Sequence, residues 1–200
     1  LHIGVLYEDK IPDVVFQEFE DSIRAPGLIF KREVRPSEEA FAGIEWLMPT
    51  IVLAYVAKPY FESFLKEMGK DHYDLLKKGI NKLYWRFVGP RAPDVKIVAT
   101  QGKSSKDQPY SLFFSVVAEA SNGTCLKLLI PRPIDQAEYE IATSKFLDLV
   151  QGTYSGKTEA GVAEALANAP IAGNTVLVTY EAATGKIVPV DQFSGRRPPK

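Results

Sequence analysis

The amino-acid sequence predicts an α+β fold: a mixed, mostly antiparallel sheet with amphipathic helices packed on one face. Three observations support this prediction. Strand-like and helix-like segments follow one another in small groups along the chain, two tight-turn sequences join pairs of strands, and one long segment has strong helical periodicity. Hairpins make neighbouring strands antiparallel, and amphipathic helices need one apolar surface on which to pack.

The first third of the chain predicts a strand, a helix and a second strand. Residues 2–7 are mostly apolar and form the first strand, and a helix with apolar residues at helical spacing follows Pro12. Alternating side chains over residues 28–34 predict the second strand. Ser37, which is followed by two glutamates, is typical of a helix start.

Residues 46–57 form an uncharged apolar run that is compatible with two structures. Ile51, Val52 and Tyr55 favour a strand by propensity, whereas Pro49 ahead of an unbroken apolar run favours a buried helix. Periodicity does not separate the two alternatives in a fully buried segment. We expect a helix here.

The clearest pattern is an amphipathic helix over residues 59–87. Apolar residues and His72 recur every three or four positions, and charged residues occupy the opposite side. Gly69 is unfavourable inside a helix by roughly 1 kcal/mol relative to alanine, so we expect a break there. The apolar stripe comprises Phe61, Phe64, Leu65, Met68, His72, Leu75, Leu76, Ile80, Leu83 and Phe87.

The second half predicts strands, then helices, then a final hairpin. Asn122-Gly123 and Thr184-Gly185 each lie between apolar strands, and the first pair is the strongest hairpin signal in the chain. The predicted strands are 95–100, 110–120, 124–130, 174–180 and 186–190, and the predicted helices are 135–150 and 158–168.

Length and composition predict one soluble domain over residues 1–194, with a disordered tail or linker at 195–200. The chain has 200 residues, of which 46% are hydrophobic, so it can bury a core without disulfides. Cys125 is the single cysteine, which excludes intrachain disulfides and fits the cytoplasm. With two histidines besides it, the chain lacks ligands for a Cys/His metal site, and we expect no cofactor.

The net charge of −1 hides an uneven distribution. Residues 1–57 carry ten acidic and five basic side chains, a net of −5, and residues 58–108 carry eleven basic and six acidic, a net of +5. Opposite charges on one domain explain this pattern more simply than a nucleic-acid surface does, so nucleic acid is an unlikely partner. The apolar run at 46–57 is too short to span a membrane, which takes about 20 residues.

No motif specifies a reaction. Gly156-Lys157-Thr158 resembles the end of a phosphate-binding loop, but Gln151 stands where that loop needs its first glycine, and a helix rather than a strand is predicted before it. His72 lies within the apolar stripe, next to an aspartate that points elsewhere on the helix. A structural role for this histidine is the simpler interpretation.

The favoured hypothesis is a non-catalytic protein-interaction or regulatory module, although enzymatic activity is not excluded by the sequence. Its partner would be another protein or part of a longer parent chain, because the sequence starts at a leucine and its central helix carries basic and aromatic residues. The candidate partner-binding residues are Lys77, Lys78, Lys82, Tyr84, Trp85 and Arg86.

The alternative hypothesis is an enzyme or small-ligand-binding domain with a pocket between the sheet and the helices. Its polar groups would come from separate segments of the chain, because no single segment holds a complete site. The candidate ligand-binding residues are Glu8, His72 and Tyr110.

Overall fold

The computed structural model describes residues 1–36, 50–88, 109–158 and 160–191. The strands are β1 (Ile3–Glu8), β2 (Phe30–Arg35), β3 (Val52–Val56), β4 (Phe114–Glu119), β5 (Cys125–Leu129), β6 (Ile171–Ala172), β7 (Thr175–Glu181) and β8 (Lys186–Pro189). The helices are α1 (Val14–Ser22), α2 (Leu65–Val88, preceded by a π-helical turn at Tyr60–Phe64), α3 (Gln136–Ser155) and α4 (Ala160–Ala167).

All eight strands belong to one mixed sheet. The order is β2-β1-β3-β4-β5-β7, and β6 and β8 both pair with β7. Four of the seven pairings are antiparallel and three are parallel, since β1 pairs with β2, β3 with β4 and β5 with β7 in parallel. The expected mixed, mostly antiparallel sheet is confirmed.

The helices and one face of the sheet enclose the core. Ile3, Val5 and Tyr7 of β1 point to this face, where the Tyr7 ring stacks on Phe16 of α1 at 3.9 Å between centroids. Helix α2 contacts α1 and α3, and α3 contacts β4, β5 and β7. Amphipathic helices on one face are therefore confirmed.

The expected helix within residues 46–57 is wrong for the part that the structure describes, because Val52–Val56 is strand β3. This strand lies between β1 and β4, so both of its edges are hydrogen-bonded within the sheet. Val52, Ala54 and Val56 point into the core, and Leu53 and Tyr55 are half-buried on the other face. Because all five residues of this strand are apolar or aromatic, its sequence lacks the period-two alternation of apolar and polar residues that would have identified it.

The amphipathic helix at 59–87 is confirmed, with a break at Gly69. Gly69 has φ 76° and ψ −169°, a conformation that residues with a Cβ atom rarely adopt. The break reorients the chain between the π-helical turn and the long second part of α2.

Both predicted hairpins are present. Gly123 takes φ 84° in the turn after β4, and the Ala120 amide donates to the Thr124 carbonyl at 2.8 Å to close it. The turn containing Thr184 and Gly185 joins β7 to β8. Strand β6 was not expected, and α3 continues five residues beyond its predicted end at Val150.

Some expectations lie outside the described residues. These are the helix start at Ser37, the residues 46–49 of the apolar run, the strand at 95–100 and the tail at 195–200.

Candidate functional site

The basic and aromatic residues of α2 mostly make contacts within the molecule. Lys77 Nζ lies 2.6 Å from Asp148 Oδ1 on α3, and Arg86 forms an ion pair with Glu18 on α1. Tyr84 is 2% exposed and stacks on Tyr139 of α3, with 3.6 Å between ring centroids. Three of the six predicted partner-binding residues therefore join helices to one another.

The other three predicted partner-binding residues differ in exposure. Trp85 is half-buried against the core, and Lys78 and Lys82 are exposed. Leu75 is 44% exposed and lies on the same side of α2 as the two lysines, since the three positions are spaced by three and four residues. Leu75, Lys78 and Lys82 form what we call the α2 surface.

Glu8, His72 and Tyr110 do not form one site. His72 is buried in the helix layer, where Nε2 donates to the Ile23 carbonyl at 2.8 Å and Nδ1 accepts from the Tyr60 hydroxyl at 3.0 Å. Both ring nitrogens are thus used to hold α1 and the π-helical turn against α2. Tyr110 forms an isolated bridge with Pro131 at the edge of the β4–β5 unit.

Glu8 lies on the opposite face of the sheet, in a buried polar row. It is 1% exposed, Lys10 Nζ lies 2.7 Å from Oε2, and Arg35 Nη2 lies 3.4 Å from Oε1. The Arg35 guanidinium also donates to the Thr50 carbonyl at 2.8 Å. Next along the row, the Thr50 and Ser115 hydroxyl oxygens lie 2.6 Å apart.

Lys127 of β5 lies on the same face as this row and is 3% exposed. Burial, followed by the charge of Arg35, lowers the pKa of Lys127 from 10.5 to about 8. A charged residue between Leu126 and Leu128 was the sequence signal for this position, and it was missed. Within the described residues, the ion pairs with Lys10 and Arg35 offset the cost of burying the Glu8 carboxylate.

An open cavity of about 360 Å³ lies between the sheet and the C-terminal helices. Its walls come from the turn after β4, from β5, β6 and β7, from the end of α3 and from α4. The apolar lining includes Leu126, Ala163, Leu166, Ile171 and Val176. The small side chains of Ala163 and Ala167 on α4 leave space that larger residues would have filled, and this space is open to solvent.

Two polar side chains that line this cavity, Thr153 and Asn122, form hydrogen bonds within the protein. The Thr153 hydroxyl donates to the Val150 carbonyl at 2.7 Å and accepts from the Ser121 amide at 3.1 Å. The Asn122 side-chain oxygen accepts from the Thr124 amide at 3.0 Å. Thr158 differs from these two residues, because its buried Oγ1 has no hydrogen-bond partner in the described part of the chain.

A second cleft, of about 260 Å³, adjoins Thr158. Thr158 lines both spaces. The cleft is bordered by apolar side chains, such as Leu149 and Ile187, and by the charged side chains of Lys145, Asp148, Lys157 and Lys186. Asp148 already accepts hydrogen bonds from Lys77 and from the Tyr73 hydroxyl.

Sequence reasoning missed this region because its walls come from several separate segments of the chain and consist of common residues. The one signal was the Gly156-Lys157-Thr158 sequence. Gly156 ends helix α3, so a helix rather than a strand precedes these residues, as expected, and they do not form a phosphate-binding loop.

Other chemistries find little support in the described residues. Within them, no group of three His, Cys, Asp or Glu side chains is placed to hold a metal ion. Burial, followed by the charge of Glu119, raises the pKa of the Cys125 thiol, which disfavours the nucleophilic thiolate. Among the residues that the structure describes, no helix is both long enough and apolar enough to span a membrane.

Comparisons with known proteins provide no relatives. No family model matches the sequence, and neither the curated proteins nor the solved structures include one with significant similarity to it.

Proposed function

We propose that this chain is a small-ligand-binding domain whose ligand occupies the cavity between the sheet and helices α3 and α4. The observation that carries the proposal is the cavity itself, which is open, mostly apolar and about 360 Å³ in volume. Ligand sites are typically concave and apolar, with a volume of about 300–1,000 Å³ and a few polar groups that orient the ligand. This cavity falls at the lower end of that range.

The energetics favour an apolar ligand. Ile171 is 56% exposed and Leu166 is half-buried at the cavity, and removing such aliphatic surface from water contributes about 25 cal/mol per Å². A ligand that fills the cavity buries this surface and its own. The buried Thr158 hydroxyl offers one directional contact within a mostly apolar lining.

Thermal unfolding with decanol tests the proposal. A ligand at ten times its Kd stabilises the folded state by about 1.4 kcal/mol. For a chain of this size the unfolding temperature would rise by about 3–6 °C. Titrations with hexanol and with decanol, with calorimetry as the readout, should each show saturable binding at one site.

Ala163→Phe supplies the variant, and Ala137→Phe supplies its control. Ala163 lines the cavity from α4, so a phenyl ring there competes with the ligand for the same space. Ala137 is an exposed alanine on α3 outside the cavity. We expect the decanol-induced stabilisation to disappear in Ala163→Phe and to remain in Ala137→Phe. Equal stabilisation of both variants, or no binding to the wild type, would contradict the proposal.

The α2 surface favours a second candidate function, binding of a partner protein. Leu75 is exposed beside Lys78 and Lys82, an arrangement suited to a partner with an apolar contact flanked by carboxylates. Affinity capture with wild type and with Leu75→Ser plus Lys78→Glu tests it, and Lys145→Glu on α3 is the charge control. A protein captured equally by all three forms would not bind through this surface.

A further inference from the structure

We infer that the ligand of the cavity is an amphipathic anion, with an apolar chain in the cavity and a carboxylate or similar head group at Thr158, facing the lysine-lined cleft. This inference rests on the proposed function and specifies the chemical class of its ligand.

The first argument is the position of Thr158 between two different environments. On one side its neighbours are the apolar residues of the cavity, and on the other side are Lys145 and Lys157. A molecule that is apolar throughout would leave the Thr158 hydroxyl buried without a partner, which is unfavourable. A head group that accepts a hydrogen bond from this hydroxyl removes that penalty.

The second argument is the charge of the cleft. Lys145 and Lys157 are exposed, and no described carboxylate lies within ion-pair distance of either amine. Asp148, the acidic residue among the described lining, is paired with Lys77 at 2.6 Å. The two free ammonium groups therefore favour a negative head group over a neutral one, and a neutral one over a cation.

The third argument is the close approach of the backbone at Gly152. A Cβ atom at this position would lie 3.3 Å from Thr158 Oγ1, so a larger residue would crowd the hydroxyl. Glycine therefore lets the backbone of α3 approach Thr158 closely without a side chain that would compete with a head group for the hydroxyl.

Three probes with the same chain length separate the head-group contribution from the apolar one. Decanoate, decanol and decyltrimethylammonium are titrated into the full chain by calorimetry at low salt. We expect decanoate to bind about tenfold or more tightly than the cation, with decanol in between, and added salt to reduce this difference because exposed charges are screened.

Substitutions then assign the head group to its contacts. Lys145→Gln plus Lys157→Gln should weaken the binding of decanoate by about two- to fivefold per lysine, and should change the affinity for decanol by less than about twofold. Thr158→Val keeps the shape of the side chain but removes its hydroxyl, and it should weaken the binding of decanoate by about tenfold. Thr153→Val is the matched control, since its hydroxyl is already bonded to Val150 and Ser121 and should not affect the preference for the anion.

The outcomes distinguish the two proposals. If decanol binds and decanoate binds no better than the cation, the head-group inference is overturned and the apolar cavity remains a ligand site. If the lysine variant weakens decanoate and decanol equally, the inference is again overturned. If none of the three probes binds, the proposed function itself fails.

Discussion

Replacing Gly79 with alanine should destabilise the protein although alanine is the better helix former. Gly79 lies in α2 where α1 crosses it, and a Cβ atom there would be 2.7 Å from Ile23 Cγ2 and 3.1 Å from Phe19 Cε2. Ile23 is fully buried, so its methyl group cannot move aside without shifting α1. Such overpacking typically costs about 1–3 kcal/mol.

The net effect follows from two opposing magnitudes. Gly→Ala in a helix interior contributes about 1 kcal/mol of stability. Because the 2.7 Å contact is far inside normal packing distance, we expect the clash to exceed this gain by about 1–2 kcal/mol. Thermal unfolding should show a fall of about 2–8 °C, and urea unfolding should give the same loss of free energy.

Gly161→Ala is the matched control for this prediction. Gly161 is exposed on α4, and a Cβ atom there would meet no other atom within 4 Å. Gly161 lies in the first turn of α4, and the same chemical change should stabilise the protein there by about 0.4–1 kcal/mol. If Gly79→Ala proves as stable as Gly161→Ala, the close packing of α1 against α2 is wrong.

Three further predictions concern buried or capping residues. Lys127→Met should change how the free energy of unfolding depends on pH. Between pH 8 and 10.5 the lysine of the unfolded wild type holds a proton that the folded protein has lost. The stability of the wild type relative to the variant, measured by urea unfolding, should therefore rise by about 3 kcal/mol across this range. His72→Leu removes two hydrogen bonds and leaves the Tyr60 hydroxyl and Ile23 carbonyl buried, which should cost about 2–4 kcal/mol in thermal unfolding. Asp135→Ala removes the side-chain cap of α3 and should lower the free energy of unfolding by about 1 kcal/mol. Asp135→Asn should retain most of the stability that the cap contributes.

Each of these predictions has a result that would count against it. If the free energy of unfolding of the wild type minus that of Lys127→Met stays constant or falls between pH 8 and 10.5, the lysine is not desolvated in the folded state. Full stability of His72→Leu would mean that the two hydrogen bonds contribute nothing net. Equal stability of the alanine and asparagine variants at Asp135 would exclude the cap.

The predictable parts of the fold are those that short-range interactions determine. Asn122-Gly123 predicts a hairpin because its backbone conformations suit the turn, and the stripe along α2 predicts a helix because its apolar residues share one side. Gly69 predicts a break for a similarly local reason. The interpretation of residues 52–56 failed because all five side chains are apolar or aromatic, although the strand buries one face more than the other, so the sequence shows no alternation.

The candidate site was less predictable than the fold. Glu8 and His72 were selected for their chemistry, but the structure places them on opposite faces of the sheet. Tyr84 was selected as part of an exposed basic-aromatic surface and is buried against Tyr139. Periodicity identifies which side of a helix is polar, but it does not reveal where a neighbouring helix covers that side.

The sequence by itself determined the α+β class, the two hairpins, the long helix and the absence of disulfides, because each depends on residues close together in the chain or on composition. Tertiary structure alone decided the strand order, the three parallel pairings and the cavity. These features bring together residues that are far apart in sequence, such as Leu126 of β5 and Leu166 of α4. The free energy of forming them depends on loop closure and packing rather than on local conformational preference. The cavity exists because α4 lies over the end of the sheet with small side chains, and nothing local to α4 specifies that position.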